Sequence, residues 1–320
     1  MTTPSISALK NACPGTSLFY VVEEPYRELV EGNPHLDEIF VIDKTRGNKE
    51  FFRIIRRIRK NKFDAVIDFH GGPRAALITL LSRAKWKVGY QTKCKSYIYH
   101  FTIPRSSDTG PIHSVKNHIN LTGLLGADTD TIPPLRLPPS NIRAESKVEE
   151  YLKEMESEEK RNVVIHISAG NRFRDWGTEK ISRLISLLGR LSRVRIALIG
   201  DNNDRQTEAK ILKTTSLSLD SFVGKLNLKE LQELISHAAL FVGADSGPMH
   251  IAAAVSTPIV ALFGPTIPAH FGPWKARATI IEKTMDCRPC KQKSCVHGDF
   301  RCLRDISPDE VYEACLDYLK

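Results

Sequence analysis

Short runs of β-branched and aromatic residues alternate along this chain with segments of helical period, and the alternation breaks once, at a cluster of prolines. Before the break, SLFYVVEE, EIFVIDK, FDAVIDFHG and KVGY read as strands. PYRELVEG, Lys49–Lys60, PRAALITLLSRA and HSVKNHINLTGLLG read as helices. FDAVIDFHG reads as a buried strand. The alternation is of βαβ type, which implies mostly parallel strands. TIPPLRLPPSN then places four prolines between Thr131 and Asn141, a linker composition. After a charged helix over roughly Arg143–Ser157 the alternation resumes, with strands NVVIHISAG, VRIALIG, LFVGAD and PIVALFG. Between them lie helices GTEKISRLISLLGRL, DRQTEAKILKTT, LKELQELISHA and GPMHIAAAV.

The chain closes with a cysteine-rich loop and SPDEVYEACLDYLK, in which Ser307 and Glu310 have capping-box spacing. The expected division is therefore an α/β domain over 1–140, a second over 141–305, and a closing helix over 306–320. A length of 320 residues suffices for two cores. Open α/β sheets take ligands beyond the carboxyl ends of their strands, so the site is expected in a cleft between the two sheets.

No apolar run approaches the roughly 20 residues that cross a bilayer. The first residues, MTTPSISALKNACPG, lack the order of a signal peptide. A cytoplasmic location is expected. The formal charge is +9, from 46 Lys and Arg against 37 Asp and Glu. It reads either as a solvated surface or as a match for an anionic partner. Basic residues concentrate only in FFRIIRRIRKNKF, where Phe51, Ile54, Ile55 and Ile58 recur at helical spacing. This is an amphipathic helix with a basic outer face, and a peripheral membrane contact is its second reading. With no recognised motif and no interleaving of basic and aromatic residues, a nucleic-acid partner is not expected.

Neither a Walker A sequence nor GxGxxG follows any expected strand. Another phosphate-binding device stands at VGADSGPMHIAAAVSTPIVALFGPT. There a buried strand ends at Asp245, Ser246 can cap the next helix, and Pro248 suits its first turn. Gly247 leaves room for a close ligand, and His250 lies in the same turn. One reading is a capped helix with a packed histidine. The other is an anion held on the positive end of the helix. Arg172, Arg174, Asp201, Asp204 and Thr266 also follow strands of this half, which favours the second reading.

DSGPMHIAAAVSTPIVALFGPT, FDAVIDFHGGPRAALITLLSRAKWKVGY and VVEEPYRELVEGNPHLDEIFVID resemble glycosyltransferase family nine, the lipopolysaccharide heptosyltransferases, over essentially the whole chain. The resemblance implies a GT-B type architecture: two Rossmann-like domains whose parallel sheets face a central cleft. It implies inverting, metal-independent transfer of heptose from ADP-heptose to the lipopolysaccharide inner core, at the cytoplasmic face of the inner membrane. It places Ser246, Gly247, Pro248 and His250 around the donor diphosphate, Asp245 at the heptose, and Ser168 near the phosphates. Arg174 stands where the family often has a lysine before a tryptophan. The base-binding segment falls at GKLNL, around Leu226, and the ribose contact on Asp201 or Asp204. The resemblance also implies a first strand and a Leu-Gly-Asp turn ahead of TTPSISALK, so the general base is expected upstream of Met1. Alternatives are a transferase for another nucleotide sugar and a truncated donor-binding protein without activity.

On the acceptor side, His70, Gly72 and Arg74 follow FDAVIDF. They read either as a helix-capping loop or as contacts for an acceptor phosphate or carboxylate. Seven cysteines are present. Cys13, Cys94 and Cys315 are scattered and read as structural. Cys287, Cys290, Cys295 and Cys302 form a cluster whose spacing suggests a structural zinc, with an iron–sulfur cluster or free thiols as the other readings. No cofactor is expected for the sugar chemistry.

Overall fold

The computed structural model describes residues 1–92, 95–105, 110–140, 147–157, 159–215 and 217–320. Cys94 and the first part of the expected charged helix, 143–146, lie outside them. The chain divides into two compact units, Met1–Pro138 and Pro139–Lys320.

The first unit runs α1 (Thr3–Ala12), β1 (Phe19–Glu23), β2 (Glu38–Ile42), α2 (Gly47–Lys60), β3 (Ala65–Ile67), α3 (Pro73–Leu81), β4 (Trp86–Tyr90), β5 (Phe101–Ile103) and α4 (Ser114–Gly123). Its strands form two parallel sheets, β1-β2 and β3-β4-β5. The helical period of α2 is met: Ile54, Ile55 and Ile58 are buried with Phe40 and Ile42, leaving the arginines outside. PYRELVEG forms a 3₁₀ segment, Glu24–Leu29, rather than an α-helix. FDAVIDFHG is extended in the sheet only as far as Ile67. Beyond it the Asp68 carboxylate turns the chain by accepting from the His70 and Gly71 amides at 2.9 and 2.7 Å. Helix α1 was not anticipated. Its buried face is made largely of Thr3, Pro4 and Ser5, which carry no hydrophobic period, and it packs against α4.

The second unit runs α5 (Lys147–Ser157), β6 (Arg161–His166), α6 (Thr178–Leu188), β7 (Val194–Ile199), α7 (Arg205–Thr214), β8 (Asp220–Ser221), α8 (Leu228–Ser236), β9 (Leu240–Ala244), α9 (Gly247–Ala254), β10 (Ile259–Phe263), β11 (Ala278–Glu282) and α10 (Pro308–Leu319). One parallel sheet has the order β11-β10-β9-β6-β7-β8. Ile165 lies opposite both Leu198 and Val242, and Val242 opposite Val260. All five residues of β9 and of β10 are buried, as helices on both faces require. Helix α10 belongs to this unit's core through Val311 and Cys315. Only half of its capping box forms. Ser307 Oγ accepts from the Glu310 amide at 3.1 Å, while the Glu310 carboxylate pairs with Lys283 at 2.8 Å.

Candidate functional site

Because every ladder in the second unit is parallel, the carboxyl ends of β6, β7, β8, β9 and β10 share one edge of the sheet. Ser168 and Arg174 follow β6, Asp201 and Asp204 follow β7, Leu226 follows β8, Asp245 to His250 follow β9, and Thr266 follows β10. The sequence-derived donor residues therefore share one edge, and several touch.

Arg174 Nη1 donates to the Asp245 carbonyl at 3.2 Å and lies 3.3 Å from the Asp245 carboxylate. Asp245 is only 4% exposed. Burial pushes its carboxyl above the usual range, partly offset by the Thr266 hydroxyl and the Arg174 guanidinium. Ser168 Oγ donates to Asp204 at 2.8 Å. Asp201 and Asp204 form a reciprocal cap of the turn ahead of α7, and Gly200 beside them has no room for a side chain because the Asp204 carboxylate fills it. Leu226 sits in the turn before α8, which Asn227 caps.

Ser246 differs from expectation. It occupies the N-cap position of α9 with extended backbone, yet its side chain makes no capping hydrogen bond. The hydroxyl instead lies 3.0 Å from His166 Nδ1. Gly247 has open space on the side where a Cβ would point. Burial lowers the His166 pKa to about 4, so this imidazole is neutral near pH 7. His166 ends β6 and is a site residue that the sequence did not single out, because a lone histidine in an apolar run reads as core. Gln292 was also missed. Its Oε1 accepts from Asn171 Nδ2 and from Arg174 Nε, each at 2.9 Å, and so braces the loop that carries Arg174.

Gln292 belongs to the cysteine-rich loop. Among the described residues, no group of three or more His, Cys, Asp or Glu is placed to hold a metal ion. Cys287, Cys290, Cys295 and Cys302 are free thiols. The zinc expected from their spacing is thus not supported. Hydrogen bonds hold the loop together. Arg288 donates to the Thr266 and Lys283 carbonyls at 2.7 and 2.6 Å and to Glu282 at 2.6 Å. The Cys290 amide donates to the Pro265 carbonyl at 3.0 Å. Backbone N–H groups at Phe300, His297, Gly298 and Asp299 lower the pKa of Cys295.

In the first unit, His70, Gly72 and Arg74 form the loop and first turn between β3 and α3. The loop is built inward. His70 Nδ1 accepts from the Gly72 amide at 3.0 Å, and Tyr99 donates to Asp68 at 2.7 Å. Arg74 is exposed. Two cations that the sequence did not mark stand at the loop: Lys95 donates to the Gly71 carbonyl at 2.7 Å, and Arg105 to that of His70.

Residues 51–300 match the family model described as glycosyltransferase family 9 (heptosyltransferase). The chain is 26% identical over 285 residues to lipopolysaccharide heptosyltransferase 3 of Escherichia coli, covering 86% of this chain and 82% of that protein. It is similar in structure to a glycosyl transferase family 9 protein from Veillonella parvula DSM 2008, with a TM-score of 0.87 and 24% identity over 99% of this chain and 92% of that one. It is also similar to the E. coli heptosyltransferase WaaC with ADP-2-deoxy-2-fluoro heptose, with a TM-score of 0.71 and 19% identity over 99% and 94% of the two chains.

Proposed function

From the premise that this chain belongs to glycosyltransferase family 9, we propose that it transfers heptose from ADP-heptose to the lipopolysaccharide inner core by an inverting, metal-independent reaction. The observation that carries this reading is the gathering of Arg174, Asp245 and Ser246 at the N-terminus of α9. An acceptor hydroxyl attacks the anomeric carbon as that carbon's bond to the diphosphate breaks, its proton passing to the general base that the family resemblance implies, so negative charge grows on the leaving phosphate. Arg174 and the amide end of α9 meet that charge, which is the task a divalent cation performs elsewhere. On this reading Ser168 is assigned to the phosphates, Asp201 or Asp204 to the ribose, Leu226 to the base, and Asp245 to the heptose. A transferase for another nucleotide sugar places the same phosphates on the same helix and differs in the base and sugar contacts. Calorimetry with ADP, UDP and GDP separates the two. Binding of ADP at least tenfold tighter than the others supports the adenine donor, and preference for another base rejects it.

The acceptor's anionic groups are assigned to Arg74, with Lys95 and Arg105 adding positive charge beside the His70–Gly72 loop. The same reading puts the protein at the cytoplasmic face of the inner membrane as a peripheral partner. No helix of the described residues is long and apolar enough to cross one. Helix α2 offers the contact: Phe52 is 63% exposed, and Arg56, Arg59 and Lys60 are exposed with it. Each cation near an anionic surface contributes about 1 kcal/mol. Co-sedimentation with phosphatidylglycerol vesicles is expected to be salt-sensitive. It is expected to weaken at least tenfold when Arg56, Arg59 and Lys60 are all replaced by glutamate. Equal sedimentation of the two proteins removes α2 from the account.

A further inference from the structure

His166 ends a central strand of the second unit's sheet, and the neighbouring strand carries a glycine beside its Cβ. A Cβ on Gly243, in the neighbouring strand β9, would lie 3.1 Å from the His166 Cβ. The ring reaches Ser246 across a separation of 80 residues in sequence. Ser246 stands where a serine ordinarily turns back to accept from the second or third amide of its helix. Here it does not, and Pro248 in the first turn has no N–H. The remaining first-turn amides of α9 therefore have no side-chain cap from Ser246.

We propose that His166 is a positioning residue for the donor diphosphate. With Nδ1 protonated, the imidazole donates to Ser246 Oγ. The serine then keeps its own O–H to donate to the anion at the N-terminus of α9. One buried ring thus orients a hydroxyl donor for the anion. The argument rests on the nucleotide-sugar reading of this edge of the sheet.

The test compares His166→Leu, which removes the hydrogen bond, with His166→Asn, whose amide N–H comes near the place of Nδ1. Binding of ADP and of adenosine is measured by calorimetry, and folding is checked by the thermal midpoint. The expected result is a roughly tenfold weaker ADP Kd for His166→Leu, of the order that losing one hydrogen bond to a charged group brings. His166→Asn is expected to stay within about threefold of the parent, and adenosine binding to be unchanged in both. If His166→Leu does not fold, Ser246→Ala is measured in its place and is expected to show the same ADP-selective loss. Equal ADP binding by the parent and His166→Leu overturns the proposal, as does an equal loss for adenosine and ADP. If the parent itself does not bind ADP, the donor reading fails instead, so the two failures are distinguishable.

Discussion

Replacing Arg174 by alanine is expected to weaken ADP binding by roughly 100-fold, about 3 kcal/mol. Two effects act in the same direction. The guanidinium is the cation placed at the N-terminus of α9, and it is the charged partner of a buried carboxylate. Without it, Asp245 is a desolvated anion beside the position assigned to the diphosphate. Arg174→Lys keeps the charge but loses the fork that bonds Gln292 and Asp245 together, and a smaller loss of roughly tenfold is expected. Adding Asp245→Asn to Arg174→Ala is expected to recover part of the binding, because the uncompensated charge is gone. Calorimetry on the four proteins reads these values. An Arg174→Ala protein that binds ADP within threefold of the parent contradicts the assigned phosphate position.

The second large effect lies in the first unit. Asp68→Ala is expected to destabilise it by about 3 kcal/mol. The Asp68 carboxylate is 4% exposed and accepts from the Tyr99 hydroxyl and two backbone amides. Removing it leaves three donors without an acceptor, and the loop carrying His70, Gly72 and Arg74 loses the group that shapes it. Tyr99→Phe removes a single donor, and about 1 kcal/mol is expected. Urea unfolding followed by a probe in the first unit measures both. The ADP affinity of the second unit is expected to stay unchanged. A loss below about 1 kcal/mol for Asp68→Ala shows that the loop is held by its other bonds.

Particular elements show why some of this structure was legible in the sequence. Strands β6, β7, β9 and β10 were legible because a strand buried on both faces has to be apolar along most of its length. Strands β5 and β8 were not, at three and two residues. They extend sheets already nucleated by longer strands and need no pattern of their own. Helix α1 carries small polar residues on its buried side, so no hydrophobic period announces it.

The same contrast runs through the site. The turn from Asp245 to His250 is contiguous, and its residue types advertise an anion. His166 and Gln292 do not, because their partners are 80 and 118 residues away and only the folded sheet edge brings them together. The cysteines mislead for a related reason. Spacing constrains where sulfurs can be, but Arg288 and backbone amides hold this loop, and the thiols do not gather into a ligand set.

The most direct test of the account is transfer itself. The protein is incubated with ADP-heptose and an inner-core lipopolysaccharide that lacks its outer heptoses, with excess EDTA, and the product is weighed by mass spectrometry. The account predicts a mass increase of one heptose, release of ADP, inversion at the new anomeric centre, and an unchanged rate without chelator. Transfer that EDTA abolishes, or a product whose new anomeric centre shows retained configuration by NMR, contradicts it.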